Sequence, residues 1–412
     1  MRSLGLIPVL SLLLAGVLIT GSLGTEKPFW TAPGGSPVAI SADGNSVLSG
    51  GKPVRLYNGT GEEQWAGYEG DTLAITRNGM YFILGNVAGV LYIDRSQRTL
   101  WSNYDLGPVE DISLSPDEDF IASVASNCIS VFNRDGKLLG RACYPGMHSA
   151  AISNNGMTVA GTFDSVVALS YWGSELWRYP APGIEEVAIS SQTSESVAVS
   201  DYTLLFLNSS GNLLWQYMTS NTIRDLRISL DASSIAAGNQ AGDLYLFNRT
   251  GGLLWKKNLG NWINAVSLSS DGGLIAAGGL DRKVHLFDRD GALLWEYMTT
   301  SSVNGIALTP DGSFLVAGTD DGNISFFDLR GSLAPEAAAP STETTVPASA
   351  PPTEVMGETT ILPQETISPY HPTLPGRITT QRTPLGNPIY LALGIYVVFL
   401  LLKKRKISPN LP

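Results

Sequence analysis

The sequence predicts an all-β protein, an eight-bladed β-propeller closed by an N-terminal strand. Three observations lead there. Residues 36–332 repeat: a short alternating strand ends on Ser41, Thr76, Ser115, Ser153, Ser190, Ser229, Ser269 and Thr309, eight copies spaced 35 to 40 residues apart. Such a period, with several short strands per unit, marks propeller blades. Each unit also carries turn signals at matching offsets, as in "SDGG", "GLDRK" and "DRDG" of residues 270–291. Finally, charged residues make up only 15% of the chain while glycines number 44, a composition suited to packed sheets joined by tight turns.

Within a unit the first strand is short ("VSLS") and an Asp-Gly turn leads to the second ("LIAAG"). The third is apolar almost throughout: Val284, Leu286 and Phe287 match Leu244, Leu246 and Phe247, and Ile324, Phe326 and Phe327. Continuous apolarity means that both sheet faces are covered, which neighbouring blades supply. An Asn/Asp-x-x-Gly turn, tolerant of positive φ, leads to a fourth strand ending near Trp65, Trp101, Trp177, Trp215, Trp255 or Trp295, with Gly140 in that place in the third unit. The eighth unit has no such strand, because "SLAPEAAAP" follows it. Trp30 lies 35 residues before Trp65, in register. The N-terminal "KPFWT" is therefore expected to supply the missing strand and pair with Asn323–Leu329, removing an exposed sheet edge.

The ends predict a membrane topology. Residues 1–24 read as a signal peptide, with Arg2, an apolar run over Leu4–Thr20 and small residues Ser22 and Gly24 before a cut; an uncleaved anchor is the alternative. Residues 25–332 form the propeller. Residues 333–385 are rich in Pro, Thr and Ser and read as a disordered linker or stalk. Residues 386–402 read as one C-terminal transmembrane helix: Pro384–Leu402 reaches about 28 Å as a helix, near the thickness of a hydrocarbon core. "KKRK" (Lys403–Lys406) then opens a cytoplasmic tail, residues 403–412. The net charge is −11, and −16 without Arg2 and the four tail cations. So acidic a chain is a poor nucleic-acid binder.

Segments such as "LTPDGSFLVAGTDDGNISFFDLRG" resemble a WD40 repeat in which Phe327-Asp328 stands for Trp-Asp, and "GDLYLFNRTGGLLWKK" resembles the repeat of PQQ-type quinoprotein propellers. The similarity covers roughly 300 residues. It implies the fold strongly and the function weakly, since propellers host many unrelated activities. The acidic domain, stalk and short anchor also resemble archaeal surface proteins.

One column of the repeat stands out as a candidate binding ring. Five residues before each Ser/Thr lie Ser36, Asp71, Glu110, His148, Glu185, Arg224, Asn264 and Asn304, and Asp111, Glu186 and Asp225 follow three of them. The column enters the innermost strand, so its side chains should line one mouth of the central channel and could hold a cation, a sugar or a basic peptide. The plainer reading is that polar residues solvate loop ends. Tyr104, Tyr144, Tyr179, Tyr217, Tyr297 and Trp262 are placed in the same loops, for stacking or for packing. Cys128 and Cys143 flank the "NRDG" hairpin at nearly equal distances and are expected to form a disulfide outside the cytoplasm; two buried thiols are the alternative. Four sequons, at Asn58, Asn208, Asn248 and Asn323, are possible glycosylation sites or simply turn residues.

No metal site is expected from two Cys and three His. No "GxSxG", "HExxH" or P-loop occurs, the adjacent cysteines of quinoprotein dehydrogenases are absent, and no cofactor is expected. The reading is a non-enzymatic, cell-surface binding or scaffold module, monomeric, with a protein, glycan or envelope partner. The alternative is a cofactor- or metal-dependent enzyme, a quinoprotein-like oxidoreductase or a lyase, working at the channel mouth.

Overall fold

A computed structural model of the chain describes residues 27–330. The expected signal peptide, linker, transmembrane helix and tail lie outside the described residues. Thirty-two strands form eight antiparallel sheets of four. Seven sheets use consecutive strands. The eighth joins Val303–Leu308, Phe314–Thr319 and Asn323–Asp328 to the N-terminal Trp30–Pro33. The eight first strands pack side by side in a closed ring around the channel, with Gly35–Ile40 of the first blade meeting Val303–Leu308 of the last.

Closure joins the two segments expected to pair, with the N-terminal strand at Trp30–Pro33, a little later than the expected Lys27–Thr31. Trp30 pairs with Phe326, Thr31 with Ser325, Ala32 with Ile324 and Pro33 with Asn323. The Phe29 amide donates to the Phe326 carbonyl at 2.7 Å, and the Trp30 indole stacks on Phe326 with centroids 5.0 Å apart. Third strands are buried on both faces, as their apolar runs require: Leu244, Leu246 and Phe247 are all 0% exposed.

The Ser/Thr column that marks the repeat has a structural cause. The Ser41, Ser115, Ser229, Ser269 and Thr309 hydroxyls donate to Asp43, Asp117, Asp231, Asp271 and Asp311 over 2.6–2.8 Å. Each also accepts the amide five residues on, which opens the second strand. These hydroxyls are buried, so both halves of their hydrogen-bonding capacity must be met inside the turn.

The tryptophans fasten each blade to the next. Six indole N–H groups donate to a backbone carbonyl in the next blade's hairpin turn: Trp30 to Gly59, Trp65 to Arg95, Trp101 to Arg134, Trp177 to Ser209, Trp215 to Arg249 and Trp255 to Arg289, at 2.9–3.1 Å. The same turns place a glycine against the ring. Gly251 has φ +85°, and a Cβ there would lie 2.7 Å from the Trp215 ring. Trp295 differs. It is 1% exposed, and among the described residues its Nε1 has no partner: the eighth blade takes its outer strand from the N-terminus, so the described residues contain no third-to-fourth hairpin there. Gly140 is filled from the next blade, whose Trp172 backbone occupies the space that a side chain would need. On the same outer strand Cys143 pairs with Cys128, and the two are joined in a disulfide.

The strand directions give the disc two distinct faces. One, the loop face, carries the connections between blades, the second-to-third turns and the starts of the innermost strands. The other, the turn face, carries the Ser/Thr turns and the third-to-fourth hairpins. Lys27 and Arg330, the first and last described residues, both lie at the turn face, since Trp30–Pro33 begins there and Asn323–Asp328 ends there.

Candidate functional site

The candidate ring consists largely of β-bulge residues. The pairing of first and second strands skips one residue between Val109 and Asp111, Ile184 and Glu186, Ile223 and Asp225, Ile263 and Ala265, and Val303 and Gly305. The skipped residues are Glu110, Glu185, Arg224, Asn264 and Asn304. A bulge releases a residue from the ladder and re-aims its side chain, here at the loop-face mouth. Ser36 sits in a comparable irregularity between Gly35 and Val38. Asp71 and His148 precede regular strands that start at Thr72 and Ser149.

The ring is lopsided. Asp111, His148, Glu185, Glu186 and Arg224, with Ser149 and Ile223, line a cavity of about 680 Å³ spanning the third to sixth blades. Across the mouth, Asn264 Nδ2 donates to Asn304 Oδ1 at 2.8 Å, Asn304 Nδ2 donates to Asp320, and the Ser36 hydroxyl donates to the Asn304 carbonyl at 3.0 Å. That side is uncharged apart from Asp320 and satisfied by its own bonds. Asp71 and Glu110 are exposed and lie outside the cavity wall.

The second acid of each pair has a different task from the first. Asp111 Oδ2 accepts the Ala150 amide at 2.9 Å, and Asp225 Oδ2 accepts the Val266 amide at 2.7 Å. Each bond fastens one innermost strand to the next. Asp225 is 6% exposed and pairs with Arg227 at 2.6 Å; Arg227 reaches Glu186 at 3.3 Å. Asp225 therefore belongs to the wall, behind the exposed ring. Glu186 and Asp111 line the cavity, each partly enclosed by the ring. Burial raises the Asp111 carboxyl above its ordinary range, against the pull of the Ala150 and Ile112 amides. Burial, then the charge of Asp225, raises Glu186 well above the usual carboxylate range. Burial works against the Arg227 charge, but Asp225, Glu186 and Asp111 outweigh it and hold the guanidinium still more firmly protonated.

Of the candidate aromatics, Tyr179, Tyr217 and Tyr297 lie in outer strands. Tyr217 packs on Phe247 at 4.8 Å and Tyr297 on Phe327 at 5.2 Å. Tyr144 donates to Glu175 and lies under Arg178. Tyr104 and Trp262 stay exposed, at 58% and 43%. Asn58, Asn208 and Asn248 occupy hairpin turns on the turn face, where each Oδ1 accepts two backbone amides. Asp288 makes the same bonds, so turn formation alone explains the asparagines. Asn323 opens a third strand and lies at the loop face. Among the described residues no cluster of His, Cys, Asp and Glu is placed to hold a metal ion. Arg227 escaped sequence reasoning because it stands outside the repeat column. Its signal is a cation two residues after an acid in one strand, which places both on the same face.

Comparison with known proteins agrees with this architecture. The family described as outer membrane protein assembly factor BamB, a PQQ-type repeat family, matches residues 89–245 and 240–379. The chain belongs to that family. No curated protein matches it. Among solved structures it is similar to the C-terminal WD40 domain of Sif2, at 14% identity and a TM-score of 0.65 over 75% of this chain and 99% of that one. The computationally designed Ika8 protein follows at 19% identity, TM-score 0.63, 74% and 100% coverage. Sqt1 of Chaetomium thermophilum, solved bound to the N-terminus of ribosomal protein L10, matches at 17% identity, TM-score 0.62, 71% and 95% coverage. At these identities the likeness shows the fold alone.

Proposed function

We propose that the protein is a non-catalytic binding module, displayed at a cell surface, whose loop-face mouth receives a basic segment of a partner protein. One observation carries the reading: bulges direct Glu110 and Glu185 outward on the open side of the mouth, beside the enclosed carboxyls Asp111 and Glu186. Exposed carboxylates around a mouth attract cations and steer their approach, and here Glu110 beside the cavity and Glu185 in its wall outnumber Arg224. Glu186 sits where burial and Asp225 disfavour its charge, and a group kept at a cost to stability is a mark of functional sites. The solved complex of Sqt1 with a ribosomal-protein N-terminus is a precedent for a peptide partner. Display on a stalk is compatible with both ends of the described chain leaving from the turn face, which would turn the mouth away from the tether.

The test is binding of the full chain to a Lys/Arg-rich peptide and to a neutral peptide of the same length. The basic peptide should bind at least tenfold tighter, and more weakly as salt rises. Glu110→Gln with Glu185→Gln should lower its affinity several-fold, since each exposed charge contributes up to ~1 kcal/mol. Equal binding of both peptides, or no effect of the double variant, refutes the proposal. One observation favours catalysis as a second reading: a carboxyl with a raised pKa, such as Glu186, can act as a general acid. Turnover abolished by Glu186→Gln would support it.

A further inference from the structure

A second cavity, of about 310 Å³, opens between the second and third blades near the turn face and is lined by Tyr81, Tyr92, Leu100, Trp101, Arg134 and Asp135. Tyr81, Tyr92 and Trp101 stand on adjacent strands and stack across the second blade, with centroids 5.5 and 5.3 Å apart and planes within 13°. The eighth blade builds the same stack from Phe314, Phe326 and Trp30, with centroids 5.5 and 5.0 Å apart. Packing therefore needs no hydroxyls at these positions, yet the second blade carries two. Among the described residues neither phenol has a hydrogen-bond partner, and neither hydroxyl is sealed from solvent, so both are free to bond to a ligand in the cavity that the two residues line.

We infer that this cavity is a binding site for a single neutral sugar ring, held by the Tyr81 and Tyr92 hydroxyls and by the Arg134 and Asp135 side chains. The reasons are chemical. Two phenols can donate or accept, a guanidinium donates and a carboxylate accepts, a mixture that matches a ring of hydroxyls. Arg134, Asp135 and Glu118, which pairs with Arg134 at 3.3 Å, sum to a single negative charge, so an anion is disfavoured, and the uncharged phenols supply the remaining polar groups of the lining. Burial pushes the Tyr92 phenol up to about 12, so it keeps its proton for donation at physiological pH. The volume is at the lower end for ligand cavities and suits one ring. The site is independent of the channel mouth, which opens on the opposite face.

The experiment titrates glucose, mannose, galactose and N-acetylglucosamine into the purified full chain, read by tryptophan fluorescence and saturation-transfer NMR. At least one sugar should bind saturably with Kd of ~1 mM or tighter. Tyr81→Phe with Tyr92→Phe, which copies the stack of the eighth blade, should keep the melting temperature and weaken binding at least tenfold. If that variant fails to fold, Arg134→Gln with Asp135→Asn, on an exposed turn, gives the same test. Glu110→Gln with Glu185→Gln should leave sugar binding unchanged, which separates this site from the mouth. No binding of any of the four sugars, undiminished binding in the cavity variants, or tighter binding of phosphate or glutamate than of every sugar overturns the inference.

Discussion

Trp30→Ala tests how the ring is closed. The indole stacks on Phe326, packs beside Tyr57 at 5.6 Å, donates to the Gly59 carbonyl at 3.1 Å and covers Gly61. A half-buried tryptophan removes on the order of 150 Å² from water, worth at most ~4 kcal/mol at ~25 cal/mol/Å². Its hydrogen bond adds about 1 kcal/mol. Part of the loss is recovered as neighbours relax, so the expected cost is about 3 kcal/mol. The assay is urea denaturation of wild type and variant, followed by the fluorescence of the remaining tryptophans. The variant should unfold at lower urea, and limited proteolysis should cut first in the eighth blade, where the edge of Asn323–Asp328 is uncovered. Trp255→Ala removes a similar contact between consecutive blades and serves as a control without an effect on closure. A cost below about 1 kcal/mol for Trp30→Ala, or cleavage spread equally over the blades, would refute the claim that Trp30–Pro33 closes the ring.

Other outcomes follow from particular contacts. Trp295→Phe should cost about 1–2 kcal/mol less than Trp255→Phe in the same denaturation assay, since the Trp295 N–H is buried without a partner among the described residues and the Trp255 N–H is bonded. Gly251→Ala should destabilise by at least ~1–2 kcal/mol, because its left-handed backbone disfavours a Cβ and the Trp215 ring blocks it; an unchanged midpoint would show that the turn can rearrange. Asp243 is a pH probe: burial opposes its charge, but Asn258, Lys256 and Ser220 outweigh burial and lower its carboxyl to about 2. Its folded value lies below the ordinary 3.8, so it contributes about 2 kcal/mol that is fully present above pH ~4 and lost as pH falls toward 2. Asp243→Asn should remove that part of the acid transition in thermal melts. Glu186 has the opposite sign. Its raised carboxyl penalises the folded state once pH exceeds the unfolded value, so Glu186→Gln should raise the melting temperature at neutral pH and change it little in acid.

Much of the architecture could be read from spacing. The Ser/Thr column, the tryptophan column and the position of Trp30 each obey one period, because every blade must repeat the same turn and the same fastening to its neighbour. The expected pairing of "KPFWT" with Asn323–Leu329 rested on that count, and the register of Trp30 with Phe326 agrees with it. The candidate ring was legible as a polar column, but its division of labour was not. The sequence sets Glu185 and Asp225 in neighbouring columns but does not say that the first is exposed at the cavity and the second is tied to the Val266 amide and to Arg227. The difference arises from the bulge, which turns alternate residues to opposite sides, and from contacts between residues about 40 positions apart.

The sequence by itself therefore determined the eight-bladed plan and the segment that closes it, since these follow from local period, turn chemistry and one unmatched outer strand. Tertiary structure alone decided the rest. It left the indole of Trp295 without an acceptor among the described residues, where the outer strand comes from the other end of the chain. It opened the mouth on the third to sixth blades and bridged it on the seventh, eighth and first. It also set a cavity at the tips of Tyr81 and Tyr92. Each of these depends on what a neighbouring blade presents across the interface, which a repeat read along one chain does not contain.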